Sequence, residues 1–165
     1  MLSVVPVHRE RLVPFFSDLI KNHHGEFNNI LDLGCGELYH VFKKRWGGRY
    51  EGLDVRVNIK ADYYGDACDL SRFRSNSRDV ITGFSTAEHV PNPYIMFEEA
   101  VRVCRGTCIF TTDYTMGDKN GDPTHLYSWT PKTLQQLFNM IHSDNNVYEA
   151  NGILIGVFYR CNLDD

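Results

Sequence analysis

The sequence predicts an α/β fold: a Rossmann-like, doubly wound sheet, mostly parallel, with an antiparallel edge strand. Three observations carry this. Short apolar runs alternate with segments of helical apolar spacing along the chain. The first run, ILDL, breaks onto a glycine turn, Gly34-Cys35-Gly36, and a helical pattern follows it. The last two apolar runs are close enough in sequence to pair as a hairpin at the sheet edge.

The elements follow in order. Leu12, Phe15, Phe16, Leu19 and Ile20 stand at i, i+3, i+4, i+7 and i+8, which predicts an N-terminal helix over about residues 8–24. His23 and His24 fall in its last turn and Gly25 follows, so this pair reads as a helix ending rather than a metal site. Strand one is Asn29–Leu33, and a short helix, Glu37 to Arg45, is stopped by Gly47-Gly48. Strand two is Tyr50–Val55 and strand three lies within Lys60–Tyr64. Few residues separate these two strands, whereas a parallel crossover usually takes a dozen or more. That corner is therefore expected to be abbreviated.

Strand four is Asp79–Phe84. Asn92 is a good N-cap and Pro93 suits the first helical position, so the next helix starts there, burying Phe97, Ala100, Val101 and Cys104. Strand five is Thr107–Thr112. Thr130-Pro131 opens a helix with Leu134, Leu137, Phe138 and Ile141 on one face. Two strands close the chain, near Asn146–Ala150 and Leu154–Cys161.

Composition narrows the functional classes. The chain has 165 residues, 42% apolar and 23% charged, as expected for one ordinary globular domain over 1–165. Within it we expect a cofactor-binding core at about 29–112 and a substrate-loop and C-terminal part at about 113–161. The net charge is −4, and the longest basic cluster is Lys43-Lys44-Arg45, which argues against a nucleic-acid partner. No apolar run approaches the roughly 20 residues that span a bilayer, and no signal peptide is legible, so a cytoplasmic protein without a membrane partner is expected. The five cysteines form no C-x-x-C pair and read as reduced, small apolar residues. No metal-ligand spacing stands out, and no metal is expected.

Ligands of open parallel sheets sit outside the carboxyl ends of the strands. Four such ends here carry suitable groups. At the first, the glycines of GCG allow close approach of backbone to a ligand, with Asp32 beside them as an acceptor for an ammonium group, directly or through water. The dinucleotide fingerprint G-x-G-x-x-G fails, because its third glycine would fall at Tyr39. At the second end Asp54 stands 18 residues after Gly36, where a carboxylate can accept both hydroxyls of a ribose. Asp66, in GDACDL, can accept from an adenine amino group or serve turn chemistry. Ser85 follows strand four and leads into TAEHV.

Together, ILDLGCG, YEGLDV, GDACDL and DVITGFSTAEHVPNP resemble the class I S-adenosylmethionine-dependent methyltransferases, in particular small ones with an E-H-V motif after strand four. THLYSWTPKTLQQLF is similar to their segment after strand five. The resemblance runs from about Asn29 to Phe138 and implies S-adenosyl-L-methionine as donor, with S-adenosyl-L-homocysteine as product. By it, Asp32 and Gly34-Cys35-Gly36 cradle the methionine part, and Asp54, with Val55 beside it, holds the ribose. Asp66 and Ala67 meet the adenine, and Ser85 lines the methionine side. Two departures stand out. Leu38 occupies a position where the family often has a third glycine, and the strand-two-to-three helix is missing. Asn92-Pro93-Tyr94 is similar to the N-P-P-Y signature of adenine-N6 methyltransferases, but it lies too far from strand four and reads as a helix cap.

The expected reaction is methyl transfer to a small-molecule hydroxyl or amine. His89 and His125 are the candidate catalytic bases, and His125, Tyr127 and Asp113 the candidate substrate-binding residues. The N-terminal helix and the loop Tyr114–Ser128, or else a second subunit of a homodimer, would supply the lid. The alternatives are a non-catalytic S-adenosylmethionine-binding module or partner subunit and, with less support, a nucleic-acid methyltransferase.

Overall fold

The computed structural model describes residues 9–113, 123–150, 152–159 and 161. In order they form α1 (Arg9–His23), β1 (Ile30–Leu33), α2 (Tyr39–Trp46), β2 (Tyr50–Asp54), β3 (Tyr63–Tyr64), β4 (Arg78–Phe84), α3 (Pro93–Val103), β5 (Cys104–Asp113), α4 (Pro131–Ile141), β6 (Asn145–Ala150) and β7 (Ile153–Phe158). The seven strands make one sheet in the order β3-β2-β1-β4-β5-β7-β6. The first five lie parallel, and β7 runs antiparallel to both β5 and β6. The expected closing hairpin forms, but β7 threads between β5 and the edge strand β6.

Period-two alternation divides the core between the two faces of the sheet. Ile30, Val80, Ile109, Ile155 and Val157 point to one face and pack with Phe16 and Ile20 of α1 and Phe42 of α2. Leu31, Leu33, Ile81, Phe110, Leu154 and Phe158 point to the other and meet Phe97 of α3 and Phe138 of α4. Gly156 lies under the Phe138 ring, where a Cβ would collide with it. The α1 ending is as expected, with Gly25 left-handed at φ +86°. His23 does more than end it. Its two ring nitrogens meet the hydroxyls of Tyr148 (2.7 Å) and Tyr159 (2.8 Å), stapling the helix to the far end of the sheet. Asn92 and Thr130 cap α3 and α4 by accepting from Ile95 N and Thr133 N, and each is followed by proline.

The abbreviated corner is real. No helix lies between β2 and β3, and Asp62 takes over its fastening. This carboxylate accepts from Gly52 N (3.0 Å), Tyr39 Oη (3.0 Å) and Lys43 Nζ (3.0 Å), tying the connection to β2 and α2 at once. With so short a path, β3 pairs only through Tyr63 and Tyr64. No helix of the described residues is long and apolar enough to cross a membrane.

Candidate functional site

Two adjoining clefts open at the carboxyl ends of β1, β2 and β4. The larger, about 270 Å³, is lined in part by Asp54, Val55, Asp66, Ala67, Val90 and Pro91. The smaller, about 150 Å³, is lined in part by Phe16, Cys35, Gly36, Glu37, Leu38 and Phe84. Gly34, Arg56, Ser85 and His89 border both. The sheet brings these residues together because β1 is flanked by β2 and β4, so three strand ends meet at one crevice.

The glycine turn is shaped from below. Gly34 has φ +71°, and a Cβ there would lie 2.5 Å from Thr86 Oγ1, which itself donates to Leu33 O at 2.8 Å. Gly34 N and Cys35 N both donate to Leu53 O. Gly36 has φ +55°, and its N–H donates to Asp54 Oδ2 at 2.9 Å. Gly36–Leu38 form a 3₁₀ turn before α2 begins, so the helix is entered through Leu38. On the opposite wall Ser85 is one of two described non-glycine residues with positive φ, at 52°. Phe16 stacks on Phe84 at 3.9 Å between centroids, so α1 closes one side of the smaller cleft.

Asp54 is the most heavily bonded group of the site. Its Oδ1 accepts from Arg56 N (2.9 Å) and Nε (3.0 Å), and its Oδ2 from Gly36 N (2.9 Å) and Arg56 Nη2 (3.0 Å). Burial raises its pKa, but the bonds from Arg56 and Gly36 outweigh this and hold the carboxyl below its ordinary range. The half-exposed Arg56 guanidinium thus covers the predicted ribose acceptor. Sequence reasoning missed Arg56, although its place two residues after Asp54 could have flagged it. Asp66 serves its own turn by accepting from Cys68 N (2.8 Å) while it also lines the larger cleft.

Asp32 departs from expectation. It is buried beneath the turn and lines neither cleft. Its two oxygens accept from Tyr50 Oη and Thr82 Oγ1, each at 2.7 Å. Burial pushes its carboxyl up to about 7 against those two bonds, and the Asp54 charge adds to the rise. Two sheet neighbours, Tyr50 on β2 and Thr82 on β4, each fill one acceptor position on its oxygens. In this structure Asp32 therefore supports the turn and does not contact the cleft.

Beyond Ser85, residues 86–91 run beside residues 124–129. Leu126 N donates to Glu88 O (2.7 Å), and Tyr127 Oη donates to Pro91 O (2.7 Å). The rings of His89 and His125 meet edge to face at 4.7 Å. The two histidines singled out from sequence are thus neighbours, and His89 alone of them borders the clefts. Between them and the sheet lies Glu88, only 1% exposed, which sequence reasoning passed over. Neither of its carboxylate oxygens has a hydrogen-bond partner among the described residues. Burial pushes its carboxyl up to about 7, and Asp113 adds to the rise while Thr112 and His125 oppose it. Tyr127 stacks on Trp129 and, like Asp113, stands outside the cleft linings. Residues 114–122 of the expected lid loop lie outside the described residues.

A glycine turn at the first strand end, a bonded carboxylate at the second and an acidic turn beyond the third meet at one crevice on a sheet of this order. Residues 31–111 match the family model described as a methyltransferase domain. Among solved structures, the PH0226 protein from Pyrococcus horikoshii OT3 is similar at a TM-score of 0.72 and 15% identity, covering 95% of this chain and 93% of its own. A SAM-dependent methyltransferase from Archaeoglobus fulgidus gives 0.72 and 13%, covering 89% and 92%. A chain of the complex between the Haloferax volcanii Trm112 methyltransferase activator and a methyltransferase gives 0.64 and 16%, covering 96% and 99%. At these identities the three structures speak for the fold. No curated protein matches the sequence.

Proposed function

We propose that this methyltransferase acts on a small-molecule hydroxyl or amine held between the smaller cleft and the Glu88–His89–His125 corner. One observation carries the reading: His89 and Ser85 border both clefts, so the groups nearest the acceptor side adjoin the place where donor and methionine portions would meet.

The cradle suits the donor. Side chains larger than hydrogen are excluded at Gly34 by Thr86, and at Gly36 a Cβ would come within 3.2 Å of Arg56 Nη2. Asp54 would accept the ribose hydroxyls once Arg56 swings aside. The exposed Val55, with Val90 and Pro91, offers an apolar slot for the adenine, and Asp66 and Ala67 line the same cleft. S-adenosylmethionine supplies a methyl already activated by its sulfonium charge. The chain has to align the acceptor and exclude water, which can lower the barrier by several kcal/mol. The acceptor lone pair forms the new bond to the methyl carbon, and the carbon–sulfur pair stays on sulfur, giving a neutral thioether. A hydroxyl or ammonium acceptor must also lose a proton, and His89 is the group on the cleft border that can take it.

The small-acceptor reading is supported by the net charge of −4 and by the modest clefts. A second reading, a subunit working with a partner protein, is favoured by the exposed Val57 in the connection after β2, by the exposed Tyr64 on the two-residue edge strand β3 and by the activator in the Haloferax complex. Labelled-methyl transfer from S-adenosylmethionine to a panel of small hydroxyl and amine acceptors tests the first reading. Transfer to that panel is expected. Donor binding without any transfer would instead favour the partner-subunit reading, and salt-sensitive labelling of RNA or DNA would replace both.

A further inference from the structure

We infer that Glu88, His89 and His125 form a binding site for one divalent first-row transition ion, set against the donor cleft. One ligand atom from each residue lies within 4.8 Å of the other two. Two imidazoles and one carboxylate with open positions are a donor set suited to Zn²⁺, Mn²⁺, Fe²⁺ or Co²⁺.

Two independent features point to an ion rather than to a chance cluster. Glu88 is 1% exposed and both of its oxygens are unpartnered among the described residues, an arrangement that is costly unless a cation compensates it. His89 is already oriented as a ligand. Its Nδ1 lies 3.2 Å from Thr124 O and 3.1 Å from Thr124 Oγ1, and in the tautomer that donates from Nδ1 to the carbonyl the Nε2 lone pair is left for an ion. The same backbone segment is held by Leu126 N donating to Glu88 O, which fixes His125 beside His89. His89 is exposed and His125 partly so, leaving a route for the ion and for an acceptor.

The site deepens the proposed function and rests on it for its role. An acceptor hydroxyl bound to the ion would lose its proton to solvent or to a nearby base. Its oxygen pair would then take the methyl carbon, while the carbon–sulfur pair stays with sulfur and the ion is unchanged. This favours a hydroxyl over an amine as the acceptor.

The test is titration of the chelator-stripped full chain with Co²⁺, followed by calorimetry and visible absorption. One ion per chain is expected, with weak ligand-field bands. Binding should be at least tenfold weaker in Glu88→Gln and in His125→Ala. Circular dichroism checks that both variants fold, and His125→Ala carries the test alone if the buried replacement does not. No uptake by the unaltered chain would overturn the site, as would uptake unchanged in the folded variants. An intense thiolate charge-transfer band would also overturn it, because it would place the ion on the buried Cys104, Cys108 and Cys161 cluster. S-adenosylhomocysteine is titrated in parallel. Its binding without Co²⁺ uptake removes the ion site alone, whereas Co²⁺ uptake without its binding supports the ion site and removes the methyl-transfer reading.

Discussion

The donor side and the acceptor side of the cleft differ in how their charges are satisfied. On the donor side Asp54 accepts four hydrogen bonds, and Asp32 beneath it accepts two. On the acceptor side, a few residues along the same crevice, neither Glu88 oxygen has a hydrogen-bond partner among the described residues, and Thr112 and His125 only partly oppose the effect of its burial. The first region is preorganised by the protein's own groups. The second is built around a buried carboxyl whose burial the described residues offset only in part. The lesson is that a preformed cradle and an incomplete centre can share one crevice, with His89 and Ser85 as their common border.

Four substitutions would break or sharpen that contrast. Gly34→Ala should have the largest effect, because the new Cβ meets Thr86 at 2.5 Å on a backbone with φ +71°. Strain and overpacking together should cost about 2–5 kcal/mol of stability, read from denaturant unfolding; an unfolding curve unchanged from the parent would show that the turn is not tight. Asp54→Ala should weaken S-adenosylhomocysteine binding about a hundredfold, since it removes a buried charged acceptor and orphans Gly36 N. Calorimetry measures this, and a loss under threefold would mean that the ribose lies elsewhere.

Asp32 gives a pH signature. Its folded pKa of about 7 stands above the ordinary 3.8. Between these values the folded chain keeps a proton that the unfolded chain has lost. This term therefore makes stability fall as pH rises from about 4 to 7, and it levels off above 7. The slope should approach about 1.4 kcal/mol per pH unit at its steepest, and Asp32→Asn should flatten it. An equal slope in both proteins would assign the titration to another group. The smallest effect is expected from Arg56→Ala. Its half-exposed ion pair with Asp54 is worth no more than about 1 kcal/mol, so freeing the carboxylate should raise donor affinity by up to about fivefold. A fall in affinity would instead make Arg56 a donor ligand.

The same contrast explains what could be read from the sequence. The lining of the larger cleft was legible because its parts are short contiguous motifs at strand ends. ILDLGCG brings the glycine turn, YEGLDV brings Asp54 and GDACDL brings Asp66, and the order of strands places them at one crevice. The abbreviated corner was legible from the residue count, but not its fastening by Asp62, whose partners Tyr39 and Lys43 come from α2. The partners of Asp32 were hidden for the same reason, because they lie on β2 and β4 and only sheet pairing reveals them. On the acceptor side His89 and His125 are 36 positions apart, and their meeting depends on how residues 124–129 return across the end of β4. Glu88 looked like part of a motif, and only its burial shows that it is a charge in need of a partner.

The central claim is that the donor side is ready for S-adenosylmethionine without help from the acceptor side. Calorimetric titration of the chelator-stripped, unaltered chain with S-adenosylhomocysteine tests it most directly. The account predicts one site per chain with micromolar affinity, about −8 kcal/mol, together with a rise in melting temperature. No heat and no thermal shift at millimolar ligand would contradict it.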